Sequence, residues 1–344
     1  MARPLHTRMY IWGSKLGQWR MKVRFRFSLG TIAGCTALLG LLAGGAQAQD
    51  KLPLSVSHAP IMPFTNAIVA GQMGFFDKAG LDVKRKVLAS SDILRAALAS
   101  GEVEIVAIST DTLVRAHANG FDWKLVYQTD LYDSTRPDAI LIGRSDLTFN
   151  SAKDLEGKTV GASPGTISES ALRGWMADNG ADNSKLKTVD IPFSQIIGAL
   201  QSKSIDAAHI VEPFMTIAIE NGTGKLAAKH LDDVSKRFLI SGFVAKQSWI
   251  DANPEKLKRF IVAMKEATDF QNATPDPVLP VLAKETHIDP ELLKRIYPLH
   301  YVISSTIKAN EIQSMIDFLV RQKQIDKGFS YKDIVYSGLP IAAD

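Results

Sequence analysis

Cysteine is almost absent: the 344 residues hold one, Cys35, within the first 48. Past that point the chain can form no disulfide, present no thiolate nucleophile and build no cysteine-based zinc or iron–sulfur site. Metal-binding patterns are missing too. His58, His117, His209, His230, His287 and His300 show neither an H-x3-H pair nor H-E-x-x-H. There is no G-x-x-x-x-G-K-[ST] phosphate loop and no G-x-S-x-G nucleophile elbow. Low-complexity segments, heptads and short repeats are also absent, and past residue 48 so are Lys/Arg clusters with interleaved aromatics. The chain is therefore expected to need no cofactor, no metal and no nucleic acid.

Acidic residues are missing from the first 48 positions, which carry seven basic ones: Arg3, Arg8, Lys15, Arg20, Lys22, Arg24 and Arg26. An apolar run from Ser28 to Ala43 follows, then small residues ending in Ala46-Gln47-Ala48. These are the parts of a secretory signal peptide, 1–48, cut after Ala48. A start at Met21 would give a leader of more usual length. The apolar run is 16 residues, short of the ~20 a membrane span needs. Ile32-Ala33-Gly34-Cys35 resembles a lipobox, but Thr36 to Gly44 stays apolar where a lipoprotein turns polar, so a lipid anchor at Cys35 is not expected. Export without disulfides suits a periplasm. Taking the seven basic residues from the total of 40 leaves 33 against 36 acids, a mature net charge of −3.

The 296 residues after Ala48 suffice for two domains of ordinary size. Strand-like runs occur at Leu54–Ser57, Val83–Leu88, Glu104–Ile108, Lys124–Gln128, Ala139–Ile142, Thr159–Gly161, Ala207–Val211 and Leu239–Ala245. Helical patterns sit between them at Asp92–Ala99, Thr110–Asn119, Ser168–Asn179, Ser194–Gln201 and Pro213–Glu220. This alternation predicts an α/β fold of parallel sheets covered by helices. After Ser248 the pattern is nearly all helix. Asn253-Pro254-Glu255 starts one, and Pro275 and Pro277 are expected to break it. A further amphipathic helix carries Ile312, Met315, Ile316, Leu319 and Val320.

The richest stretch is Ala70 to Val83, reading AGQMGFFDKAGLDV. Phe64, Ala67, Ile68, Gly71 and Phe75 fall at helical spacing; Gly74 and Gly80 permit the turn; Leu81, Val83 and Val87 alternate as a strand does. Together with Asp206 to Phe214, which holds Glu212-Pro213, and with Asp154-Leu155-Glu156-Gly157-Lys158, the stretch resembles the solute-binding proteins of nitrate, sulfonate, taurine and thiamine-precursor ABC importers. The resemblance implies a two-lobed periplasmic-binding-protein fold of type II. Each lobe would be a mostly parallel sheet with flanking helices, and the ligand cleft would lie between them. Lobe one would be 49–144 plus 242–344 and lobe two 145–241, with hinge crossings near Gly143-Arg144 and Ser241-Gly242.

Ligands of open α/β sheets sit beyond the carboxyl ends of the strands. That rule selects His58, Met62 and Phe64 after the opening strand, Ser90 and Ser91 after the second, and Ser109 and Thr110 after the third. In the second half it selects Gly165 and Thr166 in the Ser163–Ser168 loop, and Glu212. Arg136, before Ala139, is the candidate partner for an acidic ligand group. Ser, Thr and Gly at helix starts can cradle an anion or simply cap the helix. Asp92, Asp111 and Glu212 argue against a bare anion such as nitrate and favour a zwitterion or a polar organic molecule. The resulting expectation is a monomeric, non-enzymatic receptor that closes on a sulfonate-like, taurine-like or heterocyclic solute and delivers it to permease and ATPase subunits. The alternatives are an enzyme resembling thiamine-pyrimidine synthases, whose cysteine-rich iron site this chain lacks, and an exported sensor module.

Overall fold

The computed structural model describes residues 50–88, 91–300 and 306–342. The expected leader with Ala48 and Cys35 lies outside the described residues, as does Ser90. Ten strands build two sheets: β1 (Leu52–His58), β2 (Leu81–Val87), β3 (Ile105–Ser109), β4 (Trp123–Asp133), β5 (Ala139–Arg144), β6 (Thr159–Gly161), β7 (Lys187–Val189), β8 (Ala207–Val211), β9 (Gly224–Ala228) and β10 (Arg237–Lys246). A short pair, β11 (Ile307–Lys308) and β12 (Ile341–Ala342), stands apart from them. The helices are α1 (Thr65–Gln72), α2 (Phe75–Lys78), α3 (Ser91–Ser100), α4 (Thr110–Ala118), α5 (Ile167–Asp178) and α6 (Phe193–Gln201). They continue with α7 (Phe214–Glu220), α8 (Gln247–Ala252), α9 (Pro254–Ala273), α10 (Pro275–Thr286), α11 (Pro290–His300) and α12 (Ala309–Arg321).

The first sheet has the order β2-β1-β3-β10-β4 and the second β7-β6-β8-β5-β9. In the first, β1 pairs parallel with β2 and β3 while β10 runs antiparallel to β3 and β4. In the second, β6 pairs parallel with β7 and β8 while β5 runs antiparallel to β8 and β9. Each sheet therefore has four strands in one direction and one reversed. The reversed strands, β5 and β10, are the first to receive the chain after it passes from one sheet to the other.

Both crossings differ from the sequence expectation. Ala139–Arg144 pairs wholly within the second sheet and Arg237–Lys246 wholly within the first. The connections accordingly run through 134–138 and 229–236, not through Gly143-Arg144 and Ser241-Gly242. The two glycines serve packing. A Cβ on Gly143 would stand 2.4 Å from the Phe149 ring, and one on Gly242 would stand 2.2 Å from Leu125 and 2.8 Å from the Tyr127 carbonyl.

The opening unit forms as its residues dictate. Gly74 and Gly80 take φ of +78° and +71°, which lets α1 stop, α2 make one turn and β2 enter the sheet. Phe76 then stacks on Phe260 of α9 with ring centroids 5.9 Å apart. In the second lobe side chains alternate across the sheet with period two: Ile140 and Ile142 join one buried cluster and Leu141 the opposite one. At the expected break, α9 does end at Ala273, but Pro275 opens α10 instead of a loop. The first turn of a helix needs no N–H from its residues, so Pro275 and Pro277 are at home there.

Candidate ligand site between the two sheets

A cavity of about 180 Å³ opens where the carboxyl ends of β1 and β3 face those of β6 and β8. The first lobe supplies Pro60, Ile61, Pro63 and Phe64 after β1, Ser91 and Leu94 of α3, and Ile108 and Ser109 of β3. The second supplies Ser163, Thr166, Ile167 and Ser168 around the start of α5, Asp190 to Ser194, and His209, Val211 and Phe214 around β8. Asp130, Asp138, Ile240 and Ser241 come from the strand ends beside the crossings. A bulge helps to place them. Leu239 faces Leu131, but the register then slips so that Ser241 faces Asp130 and Gly242 faces Gln128. The bulge brings both Ile240 and Ser241 to the cavity wall.

Of the residues selected from sequence, Phe64, Ser91, Ser109 and Thr166 line this cavity. The others are placed elsewhere. Met62 is wholly buried in the core, because the Pro60–Phe64 segment turns Phe64 and not Met62 toward the opening. His58 is buried behind the same segment, its Nδ1 2.8 Å from the Ala59 carbonyl, and burial pushes its pKa down to about 4. Thr110 is buried within α4. Arg136 is exposed on the connection between the sheets. Gly165 stands outside the wall, with the Arg95 guanidinium 3.5 Å from its carbonyl. Glu212 is buried beneath α7, where it accepts from the Thr216 hydroxyl at 2.7 Å and the Thr216 amide at 3.2 Å. That is the helix-start role of an acid at this position.

The loop at 163–168 has the composition of an anion cradle, and several of its donors are engaged within the protein, the Ser163 hydroxyl donating to the Asp190 carboxylate at 2.7 Å. The Ser163 amide donates to Ser168 Oγ at 2.9 Å, and the Gly165 amide to the Glu169 carboxylate at 3.1 Å. Thr166 donates its hydroxyl to the Ser163 carbonyl at 2.8 Å. Ser109 caps α4, accepting from the Thr112 amide at 3.4 Å and sharing a 2.8 Å hydrogen bond with the Thr112 hydroxyl.

Two acids that the sequence reading passed over dominate the electrostatics. Asp130 is 4 % exposed and Asp138 2 %, and both line the cavity. The two carboxyl groups interact directly, and Asp130 Oδ2 and Asp138 Oδ1 find no protein donor among the described residues. Burial is the main cause that raises both pKa values, Asp130 to about 6 and Asp138 well above the carboxylate range, where repulsion from Asp130 adds to it. Such a pair holds one proton between two carboxyls. No lysine or arginine is among the described residues lining the cavity. Its one histidine, His209, is kept neutral by burial, with a pKa pushed to about 4 and Nδ1 2.9 Å from His230 Nε2. Among the described residues no group of three His, Asp or Glu is placed to hold a metal ion, and no helix is long and apolar enough to cross a membrane.

Asp130 and Asp138 escaped notice because QTDLYDSTRPD reads as a polar linker. The missed signal is the alternation of Leu125, Tyr127 and Thr129, which carries β4 on past Gln128 and buries Asp130 within it.

Comparison with known proteins gives a consistent picture. Residues 62–277 match the family model described as NMT1/THI5 like. A Brucella abortus protein provisionally named a binding protein is 26% identical over 252 residues, 70% of this chain and 73% of its own length. A Bacillus subtilis protein provisionally named an aliphatic sulfonates-binding protein is 23% identical over 308 residues, 87% of this chain and 90% of its own. Among solved structures, the alkanesulfonate-binding protein SsuA of Xanthomonas axonopodis pv. citri, bound to MOPS, superposes with a TM-score of 0.69 at 14% identity. That match covers 86% of this chain and 99% of the other, so the two share the two-lobed fold of periplasmic binding proteins.

Proposed function

The chain belongs to the NMT1/THI5-like family, and from that premise we propose that it is the extracytoplasmic solute-binding component of an ABC importer. The observation that carries this reading is the cavity, whose walls come from both lobes at the carboxyl ends of their strands. A solute held there touches Phe64 and Ser109 on one side and Thr166 and Phe193 on the other. Only a guest that contacts both walls favours the closed arrangement over the open one, and that differential contact is what a permease can read. The two connections at 134–138 and 229–236 are where the backbone would rotate. The named roles of the relatives, binding proteins and a sulfonate binder, support the same role here. The basic, acid-free N-terminal segment supports export to the periplasm through a cleaved signal peptide.

The mixture of apolar and hydroxyl-bearing walls suits a small polar organic solute. Thermal shift against taurine, alkyl sulfonates, aromatic acids, pyrimidines and nitrate is the first test, since a ligand bound only by the folded state raises the melting temperature with its concentration. The expected result is one tight ligand bound per chain, recovered unchanged, with a drop in radius of gyration by small-angle scattering. Conversion of the bound solute into product would overturn the receptor reading.

A further inference from the structure

We propose that the solute carries a protonated nitrogen, and that the Asp130–Asp138 carboxyl pair is its seat. The inference rests on the receptor reading above and adds the charge of the ligand to it. The two carboxyls come from different segments, the C-terminal half of β4 and the last residue before β5, and they meet on the cavity wall beside the crossing. Asp130 Oδ2 and Asp138 Oδ1 find no protein donor among the described residues although both residues are more than nine-tenths buried. Orphaned buried acceptors are costly, so an unsatisfied pair on a cavity wall calls for a partner that the wall does not supply. The partner has to bring donors and positive charge, because no lysine, arginine or charged histidine in the described wall does so. A sulfonate without an amine would meet two acids and no cationic side chain in the described wall. A nitrogen cation would meet two acceptors and a residual charge of the opposite sign.

The remainder of the wall fixes the other half of the ligand. Phe64, Phe193 and Phe214 stand with Ile61, Ile108 and Ile240 around the cavity. They fit a compact apolar or aromatic frame, and aromatic faces also attract a nearby cation. A zwitterion meets the same requirement if its ammonium takes the carboxyl pair.

The test uses three probes that share one ring and differ in head group: benzylamine, benzyl alcohol and phenylmethanesulfonate. Each is titrated calorimetrically into the purified protein at neutral pH. A hydrogen bond to a charged group outweighs a neutral one enough that benzylamine should bind about tenfold or more tighter than the alcohol, with the sulfonate weakest. In an Asp130→Asn/Asp138→Asn variant, checked for folding by circular dichroism, the amine and alcohol should come within about threefold of each other, the charge-assisted part being gone. Asp138→Asn alone gives a second reading should the double variant fold poorly, and the order of the three probes in the unaltered protein needs no variant. A sulfonate as tight as the amine, an amine preference that survives in the folded variants, or no binding of the amine would each overturn the proposal. The receptor reading falls separately, only if no solute of the wider panel binds or if a bound solute is converted.

Discussion

Two buried carboxylates, Asp111 and Asp130, lie on successive parts of the same lobe and are treated in opposite ways. Asp111 is completely buried, yet Arg115 one turn later sets its Nε 3.3 Å from the carboxylate. The same guanidinium donates to Ser170 of the second lobe at 2.9 Å and to the Gln324 carbonyl at 3.2 Å. Burial raises the Asp111 pKa and the arginine opposes it. Asp130 is equally buried, but its neighbour is a second acid. The difference teaches how to read a buried charge. Where the fold supplies the counter-ion, the charge belongs to the architecture, and here it ties α4 to α5. Where the fold supplies a like charge instead and places both on a cavity, the counter-ion is left to a guest.

The strongest way to break the comparison is to remove the architectural cation. Arg115→Met leaves Asp111 buried without its partner, and losing one member of a buried pair costs about 3–5 kcal/mol. Urea unfolding monitored by circular dichroism should show a loss of that order. A loss below about 1 kcal/mol would mean that the pair is no more than a surface bridge.

Removing the charge of the cavity pair should do the reverse. Both acids have folded pKa values above the unfolded value near 3.8, so the native state binds protons more tightly and stability drains away as pH rises above about 4, through about 6 for Asp130 and further for Asp138. For Asp130 alone, a rise to about 6 corresponds to roughly 3 kcal/mol at neutral pH. The Asp130→Asn/Asp138→Asn variant should therefore be more stable than the unaltered protein at pH 7, with the advantage vanishing toward pH 4. The difference between the two proteins is the quantity to follow, because other groups titrate in the same window. His58, His209 and His230 have depressed pKa values and weaken the fold as pH falls, while Glu212, raised to about 7, weakens it as pH rises. The histidine terms occur in both proteins and largely cancel, and the Glu212 term shrinks in the variant, which also loses the repulsion from Asp138. Chemical denaturation across that pH range decides it, and a variant less stable than its parent at pH 7 would refute the account.

Much of the scaffold was legible in the residues, and the reasons are local. Thr159–Gly161 and Ala207–Val211 are recovered to the residue, since each is a short apolar run bounded by turn residues. β7 and β9 were missed because Lys187–Val189 and Gly224–Ala228 are half exposed and polar in pattern. Glycine next to a strand end suggested hinges at Gly143 and Gly242, whereas a close approach by Phe149 and Leu125 is what demands glycine there. At the site, the rule about strand ends found the loops and, among the side chains it selected, Phe64, Ser91, Ser109 and Thr166 on the cavity wall. Phe64 and Met62 sit two residues apart and are both buried, and only the turn between them decides which one lines the cavity. Asp130 and Asp138 were invisible for a deeper reason. Their meeting depends on which sheet β5 joins, and that is a long-range pairing no local pattern encodes.

The finest test of the comparison is Glu212, the third acid of the neighbourhood. Its backbone amide donates to the Asp138 carbonyl at 3.0 Å, and repulsion from Asp138 adds to the burial that lifts its pKa to about 7. It does not line the cavity. If the guest's nitrogen were held by diffuse negative potential, Glu212→Gln would weaken benzylamine binding nearly as much as loss of the wall acids. If it is held by direct hydrogen bonds, the change should stay within about threefold, because a group already half protonated near pH 7 and lacking contact contributes little Coulomb energy. Calorimetry on Glu212→Gln beside Asp138→Asn separates the two. Equal losses would make the acids a field and not a seat; a small loss beside a large one would place recognition on the two oxygens that the fold leaves unpartnered.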